Sequence, residues 1–332
     1  MENIAKLDEG KLSPKEKLEL FRAIATDDNA RRAYIASRAM QIEPQIAKES
    51  QIRRILTPVT LGAGAQAQFF IGSQEVQTAW IAPGIGSAPR RTVEGDEVWV
   101  NTFAIFARGE WLMDLATDGR FDVAQEIQFF VTEQLKEMEN LVGWNLLNAA
   151  LAHAQFPATQ KVQIGTTTGV DLTTGKGFFS KQLLANLILA ADIARRRITD
   201  IFVSPRTAFD IFTYWTGTTT NGIRTVPEPV QTQIWQQGLP ASGDVDSEFV
   251  MNIFGINVHK VYTSDVVDDN TVYAFDLSGR RSKLGVMPIR QGVQTYEDPI
   301  AITEFKVGYF ARMREGFAIL DMNNMFKGSI AR

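Results

Sequence analysis

Residues 120–155 read RFDVAQEIQFFVTEQLKEMENLVGWNLLNAALAHAQ, and how the rest of the chain is placed depends on them. No proline interrupts the stretch. Val123, Ile127, Phe130, Val131, Leu135, Met138, Leu141, Val142, Asn145 and Ala149 recur at the spacing of one helical face. Glu126, Glu133, Lys136, Glu137 and Glu139 take the opposite side, which is expected to be partly solvated. Asp118 and Gly119 read as a turn before the helix, and Pro157 closes it. At 1.5 Å per residue this is a rod of roughly 50 Å. Ordinary globular helices average about 11–12 residues. The expectation is a spine that other elements lie against and that reaches beyond a single core.

Upstream of the spine the period changes to two. Residues 67–71 (AQFFI) and 97–106 (EVWVNTFAIF) read as strands, and the Gly/Pro-rich 81–91 between them reads as a broad loop. Together, residues 58–111 predict a long two-stranded ribbon, which is marginal in water without a partner. Trp80 and Ile81 near its tip, with Pro83, Arg90, Arg91 and Trp99, are the expected contacts to a neighbouring subunit. Residues 1–57 form a polar helical arm. Ser13 and Pro14 open a helix through Leu18, Leu20, Phe21 and Ile24, and a second helix over 29–40 carries Tyr34 and Ile35. Neither has enough apolar surface for a core of its own, so the arm is expected to order on a partner.

Downstream, the Thr/Gly-rich 161–177 reads as a strand and a turn. Residues 181–195 form an amphipathic helix, with Arg195, Arg196 and Arg197 at its C-terminal end. A buried strand covers 201–203, and Ser204 caps a helix that runs to Trp215. Residues 216–247 are a long Thr/Gly/Pro/Gln-rich loop of the length that usually serves a function. Strands follow at 256–261, 272–275 and 284–287. The segment 304–322 reads as a hairpin turning at Arg314-Glu315-Gly316, with the glycine at positive φ.

The chain's totals exclude several classes. With 332 residues, 45% hydrophobic and 22% charged, it is long enough for two or three cores and neither disordered nor membrane-embedded. The leading MENIAKLDEGKLSPKEK lacks the apolar segment of a signal peptide, so the protein is expected to stay where it is made. Cysteine is absent, which removes disulfides, thiolate metal sites and cysteine nucleophiles. A net charge of −4 does not favour general adhesion to nucleic acid.

Catalytic templates do not fit. Gly62-Ala63-Gly64 lacks the third glycine of a dinucleotide loop, and Gly175-Lys176-Gly177 lacks the Walker spacing. His153 and His259 lie on different elements with no metal-ligand spacing. The acids at 244–248 and 265–269 lack the glycine and distal glutamate of a calcium loop. No catalytic residue, metal or cofactor is expected.

Arm, ribbon, spine, α/β unit with a large loop, and a returning strand pair form an order that resembles the tailed-phage major capsid protein family, the Hong Kong 97 fold. The likeness rests on the ribbon-to-spine junction (97–151), on FGINV at 254–258 followed by VYAFD at 272–276, and on FKVGYFARMREGFAIL at 305–320. It implies an α+β fold with 1–57 as N-terminal arm, 58–111 as the E-loop and 112–177 as the peripheral domain with the spine. Residues 178–290 are then the axial domain and 291–332 the closing strands of the peripheral domain. It places Ile127, Phe130, Leu135, Met138 and Leu141 on the spine. Thr216, Asn221 and Arg224 fall in a loop at the five- or six-fold axis.

The implied function is an icosahedral shell around packaged DNA. The implied partners are copies of the chain in pentamers and hexamers, with separate scaffolding, portal and decoration proteins, and no membrane. The chain departs from members that weld subunits through an E-loop lysine, because no lysine lies between Lys48 and Lys136. Rival readings are an encapsulin-type nanocompartment shell, which shares the fold but holds cargo enzymes, and an α/β enzyme without a recognisable motif. A decoration or portal protein is a further rival.

Overall fold

A computed structural model describes residues 13–62, 64–72, 95–112, 114, 121–163, 178–210, 249–253, 255–261, 267–279 and 283–330. Three helices open it: α1 (Pro14–Thr26), α2 (Asp28–Glu49) and α3 (Gln51–Ile55). Each start is fixed by a polar cap. Ser13 and Glu16 form a reciprocal capping box, Asp27 accepts from the Asn29 amide, and Ser50 accepts from the Arg53 amide. Strand β1 (Thr57–Thr60) follows, then the ribbon strands β2 (Gln68–Gly72) and β3 (Gly95–Trp99), then β4 (Phe103–Leu112). The spine is α4, Phe121–Ala152, 32 residues and about 48 Å at 1.5 Å per residue.

After the spine come β5 (Lys161–Gln163), α5 (Lys181–Ile193), β6 (Asp200–Val203), α6 (Pro205–Asp210), β7 (Phe249–Ile253), β8 (Ile256–Lys260) and β9 (Thr271–Phe275). The chain ends with β10 (Gly285–Glu297), α7 (Pro299–Thr303), β11 (Lys306–Glu315), β12 (Ala318–Ile319) and β13 (Met325–Ser329). One sheet has the order β1-β10-β11-β4, with β12 also on β10; the other is β5-β13-β9-β6-β8-β7. The six-stranded sheet is covered on both faces, which explains why β6 and β9 are apolar without alternation. Ile201, Val203, Val258 and Val272 point to Leu183, Leu184 and Leu187 of α5. Phe202, Tyr273 and Phe275 point the other way, to Trp144, Leu147 and Leu151 of the spine. The N-terminal half of the spine enters a different core, where Val131 and Leu135 meet Ile105, Trp111 and Tyr309. One helix thus serves two cores, as its length requires.

Several expectations are corrected. The arm orders on its own chain: Phe21, Ile24, Tyr34, Ile35, Ile42 and Ile46 pack into the core shared by β4, β11 and the spine. The second arm helix runs to Glu49, with Pro44 inside it. The strand expected over 97–106 is two strands, because β3 pairs with β2 while β4 pairs with β11. No hairpin forms at Gly316. Both edges of β11 are occupied, by β10 and β4, so the next strand cannot fold back on it and β12 pairs with β10 instead. The glycine serves close approach, since a Cβ there would lie 2.6 Å from the Asn101 carbonyl oxygen. The expected boundary at residue 290 falls inside the continuous β10. The last strand, β13, belongs to the six-stranded sheet beside β9.

Candidate assembly interface and the junction behind it

Strand β4 is an edge: among the described residues it pairs only with β11, from Phe103↔Glu315 to Lys306↔Leu112. Its alternation sends Ile105, Ala107 and Trp111 into the core and leaves Phe106, Arg108 and Leu112 outside. The outer face is aromatic and charged. The Arg312 guanidinium lies 5.5 Å from the Phe106 ring centroid, and Tyr296 stacks on Phe310 at 5.3 Å. Arg108 pairs with Asp298 at 2.5 Å, and Lys306 with Glu110 at 2.9 Å. On the spine, Phe129 and Phe130 form an exposed edge-to-face pair. A strand edge flanked by uncovered aromatic side chains is the kind of surface that another chain covers.

The predicted contact residues divide into three groups. Trp80, Ile81, Pro83, Arg90 and Arg91, with Thr216, Asn221 and Arg224, lie outside the described residues. Trp99 ends β3 opposite Gln68 and is exposed. On the spine, Leu135 is buried, and Ile127 and Leu141 are half-buried. Phe130 and Met138 are 51% and 45% exposed, so they do not join the inward stripe the periodicity gave them; Asn145 and Ala149 are exposed as well. The row that does face inward is Val131, Leu135, Glu139, Gly143 and Leu147. Glu139 was expected in solvent and is wholly buried.

Behind this surface lies a junction of arm, spine and sheet. Arg53 of α3 reaches Glu139 with Nη2–Oε2 at 2.9 Å and Nε within 3.1 Å of both oxygens. It also pairs with Glu43 of α2 at 3.1 Å, and its Nη2 lies 3.8 Å from Glu315 at the end of β11. The Ser50 hydroxyl donates to Glu139. Glu43 in turn accepts from the Val293 amide at 2.5 Å, where the register of β10 shifts and leaves that N–H unclaimed by β11. Further along, the Thr295 hydroxyl donates to the Ile35 carbonyl, and Arg31 and Arg32 pair with Glu297. The arm helix α2 is therefore fastened along β10 at several points. Burial raises the Glu139 carboxyl against the opposing pull of Arg53. Burial, together with the nearby charge of Glu139, pushes Glu315 up to about 9.

A second polar contact ties the arm to the six-stranded sheet. Arg54 Nη1 lies 3.1 Å from His259 Nδ1, and His259 Nε2 lies 2.9 Å from Asp200. Arginine can only donate, so Nδ1 accepts and Nε2 carries the proton given to Asp200. Burial alone would raise the Asp200 carboxyl, but hydrogen bonds from His259, Thr199 and Asn257 outweigh it and hold it below the usual range. The His259 ring is buried and stacked on Phe202 at 4.8 Å. With both nitrogens engaged it has no lone pair to offer a substrate, and the Asp-His pair acts as a brace. No group of three or more His, Asp or Glu among the described residues is placed to hold a metal.

Arg53, Glu43 and Glu315 were missed by the sequence reading. A signal was present, because Glu139 and Glu315 are each in phase with a buried row. Glu139 continues Val131 and Leu135 at four-residue steps, and Glu315 continues Val307, Tyr309, Ala311 and Met313 at two-residue steps. An acid in phase with a core stripe asks for a buried cation.

No protein-family model and no curated protein matches the chain. Solved structures do. The capsid of an empty GTA particle is 14% identical, covering 86% of this chain and 90% of that one at a TM-score of 0.54. The capsid of cyanophage P-SCSP1u is 12% identical, covering 83% and 86% at a TM-score of 0.54. A virus-like particle from Pyrococcus furiosus is 11% identical, covering 90% and 99% at a TM-score of 0.51. Over most of its length, then, this chain has the Hong Kong 97 fold of phage capsid proteins.

Proposed function

We propose that the chain is the major shell protein of a tailed double-stranded DNA phage, and that its copies, as pentamers and hexamers, close into the icosahedral shell around the genome. One observation carries the reading: the shared fold spans 86% of this chain and 90% of the GTA capsid chain, so little of either lies outside the common architecture. The exposed row of Phe129, Phe130 and Met138, with the free edge of β4, supplies surface that many modest contacts between copies would cover. In this reading the E-loop expected over 58–111 is the part between the sheet strands β1 and β4, laid on a neighbour through Trp80, Ile81, Pro83, Arg90, Arg91 and Trp99. Thr216, Asn221 and Arg224 face the symmetry axis.

A shell subunit of net charge −4 encloses DNA without gripping it, leaving the genome free to leave. Assembly takes place in the host cytoplasm, with separate scaffolding, portal and decoration proteins as partners. The chain has no catalytic role. Electron microscopy of the purified protein tests the reading: closed shells support it, and a compact subunit that stays monomeric at high concentration removes it. Mature particles should run as single chains in denaturing electrophoresis, because no lysine lies between Lys48 and Lys136 to weld the E-loop to a neighbour.

A second reading is an encapsulin-type compartment holding cargo proteins; the fold is not confined to phage capsids, since a virus-like particle from Pyrococcus furiosus shares it, with 99% of that chain covered. Particle contents separate the two: packaged DNA supports the phage shell, and a co-purifying enzyme with a docking peptide supports the compartment.

A further inference from the structure

The junction at Arg53 has more acid than base. Glu139 and Glu315 are each 0% exposed, Glu43 is partly buried, and one guanidinium faces all three. Among the described residues, the other elements around Glu315 bring no second cation. Strands β10 and β4 present Ile289 and Phe103 at the paired positions. The neighbouring Arg314 and Arg290 bond instead to the Thr102 hydroxyl and the Ala65 carbonyl. Among the described residues neither carboxyl oxygen of Glu315 has a hydrogen-bond partner, and the group lies against the Glu139 carboxyl. Two carboxylates in that position repel, whereas one proton between them turns the contact into a hydrogen bond.

We propose that the junction holds one proton between Glu315 and Glu139 at neutral pH, and that this proton latches the arm helices α2 and α3 to the spine and sheet. The geometry makes the latch a property of the arm. Arg53 and Glu43 come from the arm, and Glu139 and Glu315 from the elements it covers, so charging Glu315 pushes on the seam between them. The direction follows from linkage. A carboxyl raised from 4.5 to about 9 in the folded chain contributes stability that is full below the lower value. That contribution is lost as pH rises through the upper one. The arm is held most firmly in mild acid and loosens steadily as pH rises between the two values.

The absence of cysteine permits a direct test on the full chain. Ile46 of α2 is fully buried, so the thiol of an Ile46→Cys variant reacts with a soluble thiol reagent only when the arm opens. Labelling is compared in chains with and without Glu315→Gln, which mimics the protonated acid, so that the thiol's own titration cancels in the ratio. The chain with Glu315 is expected to gain at least about tenfold in relative labelling rate between pH 6 and pH 9, tenfold being one unit of pH linkage. A ratio that stays constant or falls over that range overturns the latch. Should Ile46→Cys fail to fold, the buried Ile42 provides a second thiol position on the same helix. The readout does not depend on shell formation, so its failure leaves the shell reading where it stands.

Discussion

At the scale of single residues, the buried charges dominate. Arg53 makes three contacts within 3.1 Å to Glu139 and one to Glu43, with its own side chain only 6% exposed. Replacing it with methionine keeps the packing volume but strands Glu139. Removing one partner of a buried pair costs about 3–5 kcal/mol, so Arg53→Met should lower the urea midpoint sharply. Glu315→Gln should instead raise it at neutral pH, because the amide resembles the protonated acid in the folded chain and, unlike the carboxyl, gains nothing by ionising when the chain unfolds. Equal losses for the two variants would contradict this account of the cluster. Arg195 is the opposite case, a local misfit. It sits at φ 54 just past α5, where the Arg195 and Arg196 amides bond to the Asp192 and Ala191 carbonyls, the geometry that usually belongs to glycine. Arg195→Gly should therefore raise stability by a few tenths to about 1 kcal/mol, measured as an upward shift of the thermal midpoint.

At the scale of elements, the spine was legible because it is long and its stripe repeats. The structure places it at Phe121–Ala152, inside the expected 120–155. Its facing was less legible. The expected row included Phe130 and Met138, while the buried row runs through Glu139, Gly143 and Trp144. Hydrophobicity alone could not select it, because the polar members of that row are satisfied by residues far away in sequence. Gln128 accepts from Arg38, Glu139 takes Arg53, and Trp144 Nε1 donates to Gln51, all three partners from the arm. Gly143 makes the same point. A glycine inside a helix costs about 1 kcal/mol relative to alanine, yet a Cβ here would meet three carbons of Ile52 at 2.5–2.7 Å. Gly143→Ala should improve helix propensity and still destabilise the chain by about 1–3 kcal/mol, because Ile52 of α3 is displaced. A gain in the melting midpoint would show that the arm seats less tightly than the distances indicate.

At the scale of the whole molecule, what remains uncovered matters most. The arm closes one flank of the five-stranded sheet from within the chain. The free edge of β4 and the row of Phe129, Phe130 and Met138 have no cover among the described residues. Serine at Phe129 and Phe130 should leave the melting midpoint of the dispersed subunit nearly unchanged, since exposed side chains contribute little to its core. The same change should reduce shell yield, read by light scattering and electron microscopy. Undiminished yield would place the subunit contacts elsewhere.

The sequence by itself determined the elements whose signal is local. The spine's length, the capped helix starts at Ser13 and Ser204, the apolar strands 201–203 and 272–275, and the order that resembles a capsid subunit all follow from spacing and turn chemistry within a few residues of each site. Only the tertiary structure decided the pairings. It returned β13 to the six-stranded sheet, split the expected strand at Val100–Thr102 between two partners, and replaced a hairpin at Gly316 with a pairing to β10. It also folded the arm home and buried two glutamates around one arginine. Those outcomes depend on which edges are free and which charges meet once distant segments are brought together; the two glutamates left a local trace by falling in phase with buried rows, but the pairings left none in any short stretch of sequence.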